Sequence, residues 1–278
     1  MRIVYLGLIL LAGCAHAGKK RYSNREREEG DGGSSKKHHR KESHDAYGAI
    51  TLNGTETPVR WTDGDSFNIQ DGPYKGHGTR MVGYNTLEAY GPVHRWGTWT
   101  PEELYEIARS ASKIGASQKW ECTSDGKVDG YKRLLIRCPE AVKEFIRQGA
   151  AMVYSVPPEK PNAELLAIER EAQAKKLGMW AKGVPEILIT SLHSTGEDEG
   201  QAEDHAYNRW LDVKTGVADM HQHSHRYKTC EWVCEGGDNG SCMLYVPFKH
   251  RYRAQPDCLL PKSGTPPAPD PTEATEPH

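Results

Sequence analysis

Asp63 and Asp65 flank a glycine, Arg80 follows, Asn85, Thr86 and Glu88 come just after it, and Arg133 lies further along the chain. Carboxylates and an amide offer hard oxygens of the kind a divalent cation prefers, and guanidinium forks match the paired oxygens of an oxyanion. Each residue also has a plain structural role. Asp-Gly is a common hairpin turn, a strand arginine is usually solvated, and a glutamate after a strand is ordinary surface. The set gains meaning only if the chain between its members brings them together.

The pattern of that chain is one of short strands and helices. From Thr57, strand-like runs alternate with turns: Val59 to Thr62, Asp65 to Gln70 and Thr79 to Tyr84, separated by Asp63-Gly64 and by the segment from Asp71 to Gly78. Helical spacing follows over Pro101 to Lys113, Pro139 to Gln148 and Asn162 to Leu177, each opening near a proline, asparagine or acidic residue. Cys122 and Cys138 bracket two Asp-Gly turns, which suits a bridge across a hairpin. Strands, helix, hairpin and helices in this order predict the α+β class, a small β-barrel with helices packed on it.

Within that frame the chain resembles the staphylococcal nuclease (thermonuclease) family from about Val59 to Trp180. The resemblance is carried by Asp63-Gly64-Asp65-Ser66, by the run from Arg80 to Glu88, by Tyr90-Gly91-Pro92, by Asp129-Gly130-Tyr131-Lys132-Arg133, and by Arg147-Gln148-Gly149 and Glu171 to Lys176 followed by Trp180. It implies an oligonucleotide-binding (OB) fold, a five-stranded β-barrel with packed helices, and calcium-assisted hydrolysis of phosphodiester bonds in DNA or RNA. By the same resemblance Asp65, the Asn85 amide oxygen and the Thr86 carbonyl are the expected metal ligands. Glu88 is the expected base for water, Arg80 and Arg133 bracket the phosphate, and Tyr131 contacts the terminal nucleotide. The chemistry explains the residue types: calcium takes hard oxygens, and paired guanidiniums stabilise the added charge of a five-coordinate phosphorus.

Three positions depart from the family pattern. Asn85 stands where a second acidic ligand is common, so the site loses a negative charge and calcium affinity should fall. Leu87 replaces the proline usual before the catalytic glutamate. Ser155 falls where an aromatic shapes the nucleotide pocket.

Composition bounds the rest. The 278 residues carry 36 basic and 38 acidic side chains, a net charge of −2 and a mean hydropathy of −0.75, which excludes a polytopic membrane protein and leaves no global basic field for a polyanion. Residues 1–14, a basic start, an apolar run and Leu11-Ala12-Gly13-Cys14, read as a signal peptide with a lipobox, so that Cys14 carries lipid and tethers the protein to the cell envelope, the outer membrane being favoured over the inner. Residues 15–47 hold nine basic and six acidic side chains with almost no aliphatic ones, the composition of a disordered tether with a reach of roughly 30 Å. The folded head is expected over 48–185, a monomer.

Beyond it, residues 186–262 form a Cys/His-rich extension, and 263–278 are Pro-rich and expected to be disordered. Setting Cys14 aside leaves six cysteines, Cys122, Cys138, Cys230, Cys234, Cys242 and Cys258, and export makes three disulfides the default, with the pairing of the last four open. His221, His223 and His225 alternate beside them, a pattern that suits either zinc or copper binding or a solvated strand. Two functions compete: an exported calcium-dependent nuclease, and a relative that keeps the barrel and binds nucleic acid or an envelope partner without cutting. Glu88 and both arginines favour the first.

Overall fold

A computed structural model describes residues 45–197, 206–251 and Cys258. The signal peptide with Cys14, the tether up to residue 44 and the Pro-rich tail lie outside the described residues. Among the described residues no helix is long and apolar enough to cross a membrane.

The described residues open with a hairpin, β1 (Ala46–Leu52) and β2 (Thr55–Trp61), joined by Asn53-Gly54 with both residues in the left-handed region, at φ 50° and 82°. That turn twists in the sense that two paired strands require. β3 (Phe67–Ile69) pairs with β2, and β4 (Thr79–Met81) reaches β3 through the Asn68–Gly78 bridge. β5 (Tyr84–Thr86) and β6 (His94–Arg95) precede helix α1 (Pro101–Gly115). β7 (Trp120–Cys122) then runs parallel to β1, and β8 (Leu134–Ile136) runs parallel to β4. Since the Thr123–Arg137 bridge links β7 to β8, the circuit β1-β2-β3-β4-β8-β7 closes on itself, and closure removes the exposed edges of an open sheet. β2, β3, β4, β7 and β8 are the strands the sequence pattern predicts. β1 joins them as an addition and begins inside the segment read as tether.

The barrel interior is filled by side chains that alternate inward, among them Ile50, Val59, Trp61, Phe67, Met81 and Ile136, all essentially buried. Helix α2 (Pro139–Arg147) closes one end with Phe145, whose ring lies 5.5 Å from Tyr84 and 5.9 Å from Trp61. The Cys122–Cys138 disulfide sits just outside Thr123 and Arg137, which exchange both backbone hydrogen bonds at 2.8 and 2.9 Å. The cysteines are therefore the next, non-hydrogen-bonded pair of the hairpin, where backbones approach most closely, and their Cα atoms are 4.2 Å apart.

Helix ends fix the path of the chain into the site. α1 opens with a capping box between Thr100 and Glu103 after which Pro101 costs no helical hydrogen bond. α2 ends in a Schellman motif: Gly149 N–H donates to Ile146 and Ala150 N–H to Phe145, with Gly149 at φ 66°. The turn leads directly into β9 (Ala151–Val153), which pairs with β5 and so with Asn85 and Thr86. α3 (Ala163–Ala174), capped by the Asn162 side chain, packs against α2 and β9.

Residues 186–197 and 206–251 build onto this body. β10 (Ile187–Leu192), β11 (Tyr207–Asp212) and β12 (Val217–Gln222) form an antiparallel sheet, while β13 (Trp232–Glu235) and β14 (Ser241–Leu244) form a hairpin whose second strand pairs with β6. A short helix, α4 (Phe248–Arg251), follows. The last four cysteines pair as Cys234–Cys242, facing residues in the hairpin register, and Cys230–Cys258. Attachment to the body is intimate: buried His94 contacts the Ile189 carbonyl through Nε2 at 3.0 Å, and Leu211 and Ala218 share a cluster with Leu87 and Trp180. Burial holds the His94 imidazole neutral, its pKa pushed down to about 4.

Gly149 is the test of this frame. A Cβ there would stand 2.2 Å from the Leu177 carbonyl oxygen in addition to the left-handed penalty. Gly149→Ala should therefore lower unfolding free energy by about 2 kcal/mol or more, measured by denaturant titration of the oxidised protein. A change within experimental scatter would contradict the tight turn.

Candidate active site

The Asp63-Gly64-Asp65 turn hangs from the end of β2 and packs against β5. Gly64 is required by proximity, for a Cβ there would meet Thr86 Cγ2 at 2.5 Å and Ala111 Cβ at 2.9 Å. Tyr84 donates its hydroxyl hydrogen to the Gly64 carbonyl at 2.6 Å, and Met81 N–H donates to the Asp65 carbonyl at 2.9 Å. These bonds place Asp65 between β4 and β5, nearly sealed from solvent.

Arg80, projecting from β4, reaches two residues of this turn-and-strand assembly at once. One guanidinium nitrogen pairs with Asp65 Oδ2, and the other donates to Asn85 Oδ1 at 2.6 Å. Asp65 also accepts from the Ser66 hydroxyl at 2.8 Å and from the Thr86 backbone N–H at 3.3 Å. Burial pushes the Asp65 carboxyl upward, but the Arg80 charge and the Ser66 hydrogen bond prevail and hold it below the usual aspartate range. Asp63, whose carboxylate accepts from Asp65 N–H at 3.2 Å, is pushed well above it by burial and then by the negative charges of Asp65 and Glu88. Two neighbouring carboxylates are thus pushed in opposite directions, Asp65 down and Asp63 up.

Glu88 follows β5. Burial raises its carboxyl, Asp65 raises it further, and Arg251, Arg80 and Arg133 oppose that rise, Arg251 most strongly. A carboxylate tuned upward is a better proton acceptor near neutral pH than a solvated one. Arg133 comes from the far side, after a loop organised by Asp129. The Asp129 carboxylate accepts from the backbone N–H groups of Tyr131 and Arg133, both at 2.9 Å, and from the Arg133 guanidinium at 2.7 and 2.8 Å. Burial would raise Asp129, yet these bonds keep it below its usual range. Tyr131, two-thirds exposed, stands at the rim with Arg133 5.4 Å from its ring centre.

Asp65, Arg80, Asn85 and Thr86 are thus joined by hydrogen bonds, Glu88 and Arg133 lie close enough to act on the same charges, and Tyr131 marks the edge. Thr86 touches Asp65 through its amide. Three contributors escaped the sequence reading. Asp129 was read as a turn residue, although an aspartate four positions before an arginine is a signal for a loop that clamps its guanidinium. Arg251 and Tyr207 lie in the extension, far from the site in sequence, and only the fold brings Arg251 against Gly91 and within electrostatic reach of Glu88, and Tyr207 beside Tyr131. The histidine run holds no metal cluster: among the described residues no group of three or more His, Cys, Asp or Glu side chains is placed to bind an ion. His221 instead stacks on Trp210 at 3.7 Å, and His223 shares a network with Asn208 and Tyr227.

This assembly on an OB barrel agrees with the comparison to known families. Residues 79–182 match the family model described as staphylococcal nuclease homologue. The matched segment of this nuclease-like domain holds Arg80, Asn85, Thr86, Glu88, Tyr131 and Arg133, whereas Asp65 lies upstream of it and the extension lies beyond. No curated protein matches the chain closely enough to count as a relative.

Opposite electrostatics give opposite predictions for the two aspartates. The raised Asp63 carboxyl weakens the fold as pH climbs from the unfolded value near 4 through its folded one, so Asp63→Asn should raise the melting temperature at pH 7 and do so much less near pH 4. The lowered Asp65 carboxyl contributes stability above that unfolded value, and Asp65→Asn, which leaves Arg80 buried with less compensation, should cost about 3 kcal/mol at pH 7. Thermal and denaturant unfolding in chelator check both signs, and a stabilising Asp65→Asn would contradict this electrostatic arrangement.

Proposed function

We propose that the protein hydrolyses phosphodiester bonds of nucleic acid at the Asp65–Arg80–Glu88–Arg133 site, with calcium as cofactor. The observation that carries this reading is the convergence of a buried, ionised carboxylate, two guanidiniums and an upward-tuned glutamate on one rim of the barrel. Such a set is more than phosphate binding needs, because a binder has no use for a proton acceptor at the phosphate.

The donor chemistry fits calcium. Asp65, the Asn85 amide oxygen and the Thr86 carbonyl are hard oxygens, and the first two already turn toward positive charge, at present that of Arg80. When bound, the ion supplies charge neutralisation at the phosphate and acidifies coordinated water. Arg80 then turns its guanidinium toward the phosphate oxygens, and Arg133, kept in place by Asp129, faces them from the other side. Glu88 takes the proton from the attacking water. The charges of Arg251, Arg80 and Arg133 oppose the rise that burial imposes on the Glu88 carboxyl, which favours the ionised form that acts as a base.

Export and lipid tethering through Cys14 belong to the same proposal. They are supported by the signal-like start and by three disulfides, which persist in oxidising compartments. A second reading, binding without cleavage, is favoured by one feature: Asn85 supplies a neutral oxygen, and Arg80 engages both it and Asp65.

Cleavage of DNA and RNA by the purified protein should require calcium and stop with chelator. Glu88→Gln and Arg80→Ala should each slow it by about 10²- to 10⁴-fold, measured as kcat/KM on a fluorescent oligonucleotide. Equal rates in wild type and Glu88→Gln would assign the activity elsewhere and favour the binding reading. Asn85→Asp adds a charged ligand and should lower the calcium concentration for half-maximal activity, by roughly tenfold if the added charge contributes about 1.4 kcal/mol.

A further inference from the structure

The C-terminal sheet docks beside the site through Ser155. Its N–H donates to the Gly216 carbonyl at 2.9 Å, and its carbonyl accepts from Ala218 N–H at 2.8 Å, so the start of β12 lies alongside and parallel to the chain that leaves β9. Side chains alternate across β11: Leu211 points into the body, and Arg209 and Tyr207 occupy the same face at successive steps outward. That face therefore starts as core and ends at the rim of the site.

At the rim the chemistry changes to rings and guanidiniums. Tyr207 lies beside the Tyr131 hydroxyl, Arg209 is 5.5 Å from the Tyr207 ring centre, and His193, just past the end of β10, stacks on Tyr207 at 4.3 Å. On the other side Arg133 covers Tyr131. The order is Arg133, Tyr131, Tyr207, Arg209, two adjacent tyrosines between two guanidiniums, a line that begins at a proposed phosphate-binding arginine and runs out onto the extension. Arg209 Nε is buried and makes no hydrogen bond among the described residues. That atom is sealed from solvent, so contact with a phosphate falls to the outer guanidinium nitrogens. The acidic groups near this line are engaged, Asp129 with Arg133 and Glu197 with His193 at 3.7 Å.

We propose that Tyr207 and Arg209 extend the substrate path of the nuclease-like site onto the C-terminal sheet, where Tyr207 stacks an unpaired base and Arg209 meets the adjoining phosphate of a single-stranded nucleic acid. The inference rests on the hydrolytic reading for the position of the scissile phosphate. Aromatic faces accept any unpaired base and guanidiniums track the backbone, so the platform selects single strands over duplex rather than one sequence over another. Ser155, by docking β12, is what brings this second aromatic surface to the site.

The test is binding of the full chain to a fluorescent single-stranded oligodeoxythymidine and to a duplex of the same length, in chelator so that nothing is cut. Tyr207→Ala should weaken single-strand binding about 5- to 150-fold, the range set by one base–aromatic stack, and leave duplex affinity nearly unchanged. Tyr207→Phe should keep wild-type affinity, and Arg209→Gln should weaken binding and flatten its salt dependence. With calcium, Tyr207→Ala should raise KM for the long strand far more than it alters kcat. Tyr207→Leu, which preserves bulk against His193, serves if the alanine variant does not fold. Single-strand affinity indifferent to Tyr207→Ala or Tyr207→Leu, or equal losses for strand and duplex, overturns the platform even if the wild type cuts. Tyr207-dependent strand binding by a wild type that never cuts upholds the platform and overturns the hydrolytic reading alone.

Discussion

Burying Asp65 and Arg80 removes two charges from water, and the cost is offset only where each finds the other together with further polar partners. Here the partners are the Ser66 hydroxyl, the Thr86 amide and the Asn85 oxygen, each delivered by a different local feature: the Asp-Gly-Asp turn, the strand β5 and the pairing of β5 with β9. The barrel is therefore more than a support. Its closure sets the distance between β4 and β5, its turn needs a glycine against Thr86, and the helix end at Gly149 starts the strand that holds Asn85 in place. Asp65 and Asn85 keep the Arg80 guanidinium charged and held among oxygens, and in the proposed reaction it must leave them to meet a phosphate.

The extension changes what this site can be. A domain that ended near Trp180 would leave Glu88 facing Arg80 and Arg133 only, and would leave Tyr131 isolated at the rim. β14 pairing with β6 instead carries α4 over Gly91, so that Arg251 acts on Glu88, and the sheet on β11 brings Tyr207 beside Tyr131. The Cys230–Cys258 and Cys234–Cys242 bridges hold the segments on either side of α4 and across the β13–β14 hairpin. A short hairpin and a four-residue helix have little core of their own, and cross-links reduce the entropy they must lose on folding.

Much of the barrel was legible because its signals are local. Alternation gave β2, β3 and β4, and prolines and asparagine marked all three helix starts within a residue or two. β1 was missed although Asn53-Gly54 is a strong hairpin signal, since Ala46 to Leu52 abuts a charged stretch whose composition masks the alternation. In the site, Asp65, Arg80, Asn85, Thr86, Glu88 and Arg133 were legible through joint spacing within one resemblance. Arg251 and Tyr207 were not, because their placement depends on long-range pairing of β14 with β6 and of Ser155 with β12, which no local pattern encodes. The histidine run was left open by the sequence, since alternate histidines suit a metal as well as a strand face; the cysteines paired with each other and His221 stacked on Trp210 favour the second.

The central claim is that Arg80 leaves its carboxylate and amide partners to hold a phosphate opposite Arg133. A crystal structure of the protein with calcium and a single-stranded oligonucleotide carrying one non-hydrolysable linkage tests it most directly. The account predicts that linkage between the Arg80 and Arg133 guanidiniums, with Glu88 facing the phosphorus and the Asp65 and Asn85 oxygens turned to the ion. An oligonucleotide seated elsewhere, with Arg80 still bonded to Asp65 and Asn85, would contradict it.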